Sequence, residues 1–260
     1  MGRQKLISQQ HKALFVTCKC NSTLNEPKTT IVKWQNMKLN LTFQYVLTFL
    51  ALTFVMHEAH EIVHTSIGRL ICGCWGQRDF NVWGLCDSCE TNPYGILSTL
   101  AGPIFTFIMI WYGSSLLDKN NNQKVFGFSL IFANMPFARI FNPMIGGGDE
   151  VVVVNSLINN WNLSRIIVLI LIILIIANPL LKAYKLIENK YKIGWFLMFL
   201  LLPMIFDLLI VLGVMNTLLE KGVLNEYWIL GSPVLVTVWT GMVTLIYFLT
   251  RKNIYKLTEK

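Results

Sequence analysis

The sequence predicts an all-α fold: a polytopic membrane helix bundle of about six transmembrane helices. Two features of composition predict it, since 54% of the 260 residues are apolar and only 14% are charged, a balance too greasy for a soluble domain. The third observation is one of distribution. The apolar residues gather into six runs, each near the length of about 20 residues needed to cross a hydrocarbon core.

The runs fall at 41–64, 94–117, 125–145, 164–183, 194–218 and 227–250. A polar, basic arm (1–40) precedes them; its only apolar patch, Ala13–Val16, is too short for a signal core, so the first span is expected to act as the targeting signal. The third span carries Asn134, Pro136, Arg139, Asn142 and Pro143, which would be costly against lipid. It is expected to pack inside the bundle or line a polar cavity, with a helix break at Asn142-Pro143. Asn178-Pro179 is expected to kink the fourth span. Asp207 in the fifth is an isolated acid costing about 2.5–3.5 kcal/mol at mid-membrane, and Arg139 is its expected partner. Trp34, Tyr94, Trp195, Trp228 and Tyr247 near span ends are expected to be interfacial anchors. The chain thus divides into the arm, a core at 41–150 containing a Cys-rich loop (65–93), accessory spans at 151–250 and a basic tail at 251–260.

A net charge of +8 raises the possibility of nucleic acid, but the cations sit where membrane topology places them. Arg3, Lys5, Lys12, Lys19, Lys28, Lys33 and Lys38 precede the first span. Lys182, Lys185, Lys190 and Lys192 lie between the fourth and fifth, and Arg251, Lys252, Lys256 and Lys260 follow the sixth. Both termini are therefore expected in the cytoplasm, the chain being a multi-pass protein of the cell membrane. The bilayer and its anionic headgroups, and not nucleic acid, account for the charge.

The first span ends in His57-Glu58-Ala59-His60-Glu61-Ile62-Val63-His64. On a helix, His60 and His64 stand one turn apart on one face and can ligate one Zn2+, while Glu61 is offset so that its carboxylate can reach a metal-bound water. Only His11 lies outside this cluster, too few histidines for a di-iron hydroxylase or desaturase. Catalytic zinc usually takes a third protein ligand. Asp149, in Asn142-Pro143-Met144-Ile145-Gly146-Gly147-Gly148-Asp149-Glu150, is the first candidate, because the glycines permit close backbone approach. Glu150 and His57 are the alternatives; three ligands in line along one helix surround a tetrahedral metal poorly, so His57 is expected to act from the second layer or on the substrate side.

Three separated signatures resemble those of the site-2 protease family of intramembrane zinc metalloproteases. They are His60-Glu61-x-x-His64 in a membrane helix, Leu100-Ala101-Gly102-Pro103 in the next span, similar to the family's Ala-Gly-Pro element, and the Asn/Pro-rich span ending in Gly148-Asp149. The resemblance covers 41–150, the three-helix metalloprotease core of that family. It implies His60, His64 and Asp149 as zinc ligands, Glu61 as general base, and Asn134 or Asn142 as a polar helper near the substrate. Two departures stand out: Thr106 where the family usually continues to an Asn, and Glu150 where it has Gly after the acid. The implied activity is zinc endopeptidase cleavage of transmembrane or membrane-associated peptides and proteins. A non-enzymatic membrane metal carrier or sensor is the competing class, and it has no specific need of Glu61.

Cys72, Cys74, Cys86 and Cys89 bracket Trp75, Arg78, Phe80 and Trp83 in the loop after the first span. Their spacing suits two disulfides or a structural zinc. Charge distribution puts this loop outside the cytoplasm, where disulfides persist; the resemblance implies an active site open toward the cytoplasm. Cys18 and Cys20 in the arm could be reduced thiols or a metal-binding pair, but are expected to have no special role.

Overall fold

The computed structural model describes residues 36–89 and 92–258; His11, Cys18, Cys20 and Trp34 lie outside the described residues. Among the described residues the chain is helical, with isolated β-bridges and no strand. Six helical segments are long and apolar enough to cross a membrane: Phe43–Cys72, Pro93–Leu116, Asn121–Ile145, Trp161–Leu186, Lys192–Glu220 and Val234–Leu257. The protein is a multi-pass membrane helix bundle.

Helix α1 (Phe43–Cys72) is its centre. Thr42 caps it by accepting from the Tyr45 N–H, and Gly73, at φ 77°, ends it with its own N–H on the Arg69 carbonyl. It runs well past residue 64, so the Cys-rich loop begins at Gly73. Thr48, Thr53, Glu58, His60, Glu61, His64 and Thr65 are all buried. This reverses the pattern of a soluble helix, because lipid accepts apolar side chains and the polar ones must turn inward.

Helices α2 (Ile96–Leu116) and α3 (Asn121–Ala133) cross at paired glycines, where a Cβ on Gly127 would stand 2.4 Å from the Gly113 carbonyl oxygen. The third span is broken, but not at Asn142-Pro143. It breaks at Asn134-Met135-Pro136: Met135 adopts φ 47°, and α4 (Pro136–Ile145) starts on the proline. Proline is well tolerated at a first helical position and disfavours helical geometry in the residue before it. Pro143 lies inside α4, which ends at Gly146 with φ 96°. A short helix, α5 (Asp149–Ile158), follows and crosses the expected boundary between the core and the accessory spans at residue 150.

Helix α6 (Trp161–Leu186) stays continuous through Asn178-Pro179. The Ile175 carbonyl, which Pro179 cannot bond, accepts instead from the Trp111 indole N–H at 3.1 Å, tying α6 to α2. Helix α7 (Lys192–Asp207) runs on as a π-helix over Leu208–Met215 and as α8 (Asn216–Glu220). After α9 (Val234–Thr250), Arg251–Leu257 forms a 3-10 helix that buries Ile254 and Leu257, so most of the expected basic tail is docked.

Two ends of the bundle are distinct. At one, Met37 N–H donates to Leu186 O (2.7 Å) and Asn40 N–H to Leu257 O (2.6 Å), joining the lysine-bearing segments. Above them Phe199 packs among Tyr45, Phe49, Phe128 and Phe132 at 5.1–6.2 Å between ring centroids. At the other end lies the Cys-rich loop, closed by disulfides Cys72–Cys89 and Cys74–Cys86. Arg78 anchors it: its Nη1 stands 3.2 Å from Glu58 Oε2, its Nε–H donates to Ser232 Oγ (2.7 Å), and its backbone N–H donates to Gly231 O (3.0 Å). Thr240 of α9 donates to the same Glu58 oxygen at 2.6 Å.

Glu58 and Arg78 are almost fully buried (2% and 3% exposed), so removing one strands the other. Arg78→Ala is expected to lower stability by about 3–5 kcal/mol, read as a fall in the unfolding midpoint of the detergent-solubilised protein, with Arg78→Lys recovering part of the loss.

Candidate metal centre

His60 and His64 sit one turn apart on α1 and turn their Nε2 atoms to one point, 3.1 Å apart. Asp149 Oδ2, from the first turn of α5, completes a triangle at 3.6 Å from His60 Nε2 and 3.4 Å from His64 Nε2. Gly148, at φ 105°, sets the angle at which the chain enters that turn. These three are the group among the described residues whose donor atoms converge closely enough to hold one metal ion.

Hydrogen bonds fix the rings. His64 Nδ1 faces the Ser98 carbonyl at 2.6 Å, so it carries the proton and Nε2 presents its lone pair. Arg139 Nη2, which can only donate, lies 3.1 Å from His60 Nε2, and His60 Nδ1 lies 2.9 Å from Thr106 Oγ1, so His60 has the same tautomer. Two imidazole lone pairs and a carboxylate oxygen face one another here; the Arg139 guanidinium brings a positive charge to one side of them, and a metal ion at the centre would meet all three at once. Zinc bonds of about 2.0–2.1 Å at tetrahedral angles would set such atoms about 3.3 Å apart, and the three separations straddle that value. The donor set therefore fits Zn2+.

Helix α2 supports the pair. Gly102, of the Ala-Gly-Pro element, lies so close that a Cβ there would stand 2.1 Å from His64 Nε2 and 2.6 Å from His60 Cε1. One turn further along α2, Thr106 is the residue against His60 Nδ1. A metal-bound histidine commonly donates its other ring N–H to a fixed acceptor; Ser98 O and Thr106 Oγ1 are suited to that part.

A cavity of about 420 Å3 opens beside the cluster, lined among others by His57, His60, Glu61, Asn134, Arg139, Asn142 and Asp149. Glu61 Oε2 is buried and finds no hydrogen-bond partner among the described residues. Asn134 Nδ2–H donates to Leu130 O of its own helix at 2.8 Å, whereas Asn142 binds the turn before Asp149 through its carbonyl, which accepts from Gly146 and Gly147. Both are on the cavity wall.

The expected Arg139–Asp207 pair is absent. Asp207 Oδ1 stands 2.7 Å from His57 Nδ1, and His57 Nε2–H donates to Phe80 O at 2.8 Å. Both His57 nitrogens are thus committed away from the triangle, to α7 and to the loop. Arg139 instead lies 3.9 Å from Asp149 Oδ2 and 3.7 Å from Glu150 Oε1, because α4, once separated from α3 at Met135, carries it toward the acids that open α5. Burial acts to raise the Asp149 carboxyl, but the contacts with His60 and His64 and the Arg139 charge outweigh it and hold the group below the ordinary carboxylate range. Burial raises the Glu150 carboxyl despite the Arg139 charge. Asp149, and not Glu150, is the acid whose carboxylate faces both histidines.

No family model, curated protein or solved structure matches the chain.

A methyl group at residue 102 would meet both imidazoles at once. Gly102→Ala is expected to weaken zinc binding by about tenfold or more, as disruption of groups supporting metal ligands commonly does, and chelator competition on the purified protein measures it.

Proposed function

We propose that this protein is an intramembrane zinc metalloprotease that hydrolyses peptide bonds of transmembrane or membrane-associated substrates. One observation carries the proposal: the His60, His64 and Asp149 donor triangle stands in a polar cavity shared with Glu61, whose carboxylate has a buried, unpartnered oxygen. A metal-storage site needs the triangle but not the unpartnered acid.

His60, His64 and Asp149 would hold the ion, and zinc would supply Lewis acidity to polarise the scissile carbonyl and the attacking water. Glu61 takes the proton from that water and returns it to the departing amine nitrogen. Ser98 O and Thr106 keep the two imidazoles in the tautomer whose Nε2 can bind metal. Asn134 and Asn142 offer amide groups along the cavity wall for a substrate backbone, which must be unwound from its helix to reach the centre. His57 is held by Asp207 and Phe80 O, and its part is to position α7 and the loop around the cavity.

The proposed setting is the cell membrane with both termini cytoplasmic. Two features support it: the lysine-bearing segments share one end of the bundle, and the disulfide-closed loop occupies the other, as an oxidising exterior requires. His64 lies eight residues before Cys72, about 12 Å along the helix, so the centre is nearer the loop end. On this orientation it opens toward the outer face, opposite to the family's usual arrangement.

Purified protein reconstituted with membrane-spanning reporter peptides tests the proposal. Glu61→Gln is expected to retain zinc and to slow cleavage by about 10²-fold or more; undiminished cleavage would sink the protease reading. Asp149→Ala is expected to lose zinc and His57→Ala to keep it, measured by metal analysis after gel filtration, and the reverse pattern would refute the ligand assignment.

A further inference from the structure

The Cys-rich loop reaches into the centre at three positions, 78, 80 and 83. Arg78 pairs with Glu58, the Phe80 carbonyl accepts from His57, and the Trp83 indole stacks on His64 at 4.7 Å between centroids, with the planes 11° apart. His64 is fully buried, and its ring is constrained on three sides: Ser98 O at Nδ1, Gly102 against Nε2 and Cδ2, and Trp83 on its face. Ser98 fixes the position of one edge but leaves the ring free to tilt about that hydrogen bond. A flat aromatic face is what removes the tilt. Trp83 does not line the cavity beside Glu61; it lines a separate cavity within the loop.

We propose that Trp83 is a positioning residue of the metal centre, holding the His64 imidazole in its ligand orientation from the disulfide-closed loop. The inference rests on the metal-centre reading above. The loop is built to hold that indole still. Its two disulfides close its base, Arg78 is bound to Glu58 and Ser232, and Asn81 Oδ1 accepts from Asn216 Nδ2 at 2.7 Å. Close backbone contacts add to this, since a Cβ on Gly76 would stand 1.8 Å from the Gly84 carbonyl oxygen and one on Gly231 would stand 2.0 Å from that of Gly76. Glycine at these positions lets the two arms of the loop and the segment before α9 lie in direct contact.

Zinc affinity of the full chain in detergent, measured by chelator competition on Trp83→Phe and Trp83→Leu, tests the role. Leu keeps apolar bulk but has no flat face, so it is expected to weaken zinc binding by about tenfold or more, while Phe stays within about threefold of the unaltered protein. Mass spectrometry should find both disulfides intact in each variant. Equal affinities in the two variants, whether high or low, would overturn the proposal, because the aromatic face would then not be what matters. Loss of zinc binding on His60→Ala together with equal Phe and Leu affinities rejects the Trp83 role alone. An unaltered chain whose zinc binding does not depend on His60 rejects the metal centre itself.

Discussion

A membrane-spanning helix offers its side chains no water, and α1 carries His57, Glu58, His60, Glu61 and His64 within eight consecutive residues. Each such group must be satisfied by protein or by a bound ion, since an unpaired ionisable group in the hydrocarbon core costs several kcal/mol. The rest of the bundle is arranged around that demand. His57 is met by Asp207 of α7 and by the loop, Glu58 by Arg78 and Thr240, His60 by Thr106 and Arg139, and His64 by Ser98, with Trp83 across its face. Among the described residues of that stretch, Glu58 Oε1 and Glu61 Oε2 keep no such partner, and of these two acids it is Glu61 that lines the cavity.

The partners come from α2, α4, α7, α9 and the loop, so one short stretch of sequence fixes the placement of most of the molecule. Apolar packing around Phe199 holds the opposite half of α1 but is non-directional. The directional contacts at the cluster select how the helices are arranged. They also explain why a long accessory region is integral to the centre: Thr240 and Ser232, far along the chain, hold the Glu58–Arg78 pair that seats the loop.

Much of this was legible in sequence. Six apolar runs specify six spans, because length and composition govern insertion, and the His60/His64 spacing specifies a shared helical face. The convergence of Asp149 with them was legible only as a candidate, since a residue far along the chain can be judged by type but not by position. Span ends were read less well: Gly73 and not residue 64 stops α1, because a capping glycine overrides the drop in hydropathy at the histidine cluster. Asp207 was assigned to the wrong cation because Arg139 was the conspicuous charge, whereas His57, already grouped with the ligands, was the one within reach. Thr106 stood out only as a departure from the family's pattern and Trp83 only as one aromatic residue of the loop. Only the close approach of α2 at Gly102 and the fold of the loop bring them to the imidazoles.

Two departures from helical geometry border the same cavity. Met135 stands in the left-handed region, a conformation costing about 1–2 kcal/mol for a residue with a Cβ, and the π-helix begins at Leu208, immediately after Asp207. Asn134, Met135, Asp207, Leu208 and Leu212 all line the cavity wall. Irregular backbone is tolerated at membrane depth where it lines a cavity, and it is excluded where it would meet lipid. The break at Met135 swings Arg139 toward Asp149 and Glu150, while the wider π turn presents Asp207 to His57 and sets Leu208 and Leu212 along the cavity. A straight third span and a regular α7 would bring these walls together. The strain in the backbone is thus spent on keeping space beside Glu61 and the His60, His64 and Asp149 triangle, and the proposed hydrolysis would need that space for an extended peptide and a water.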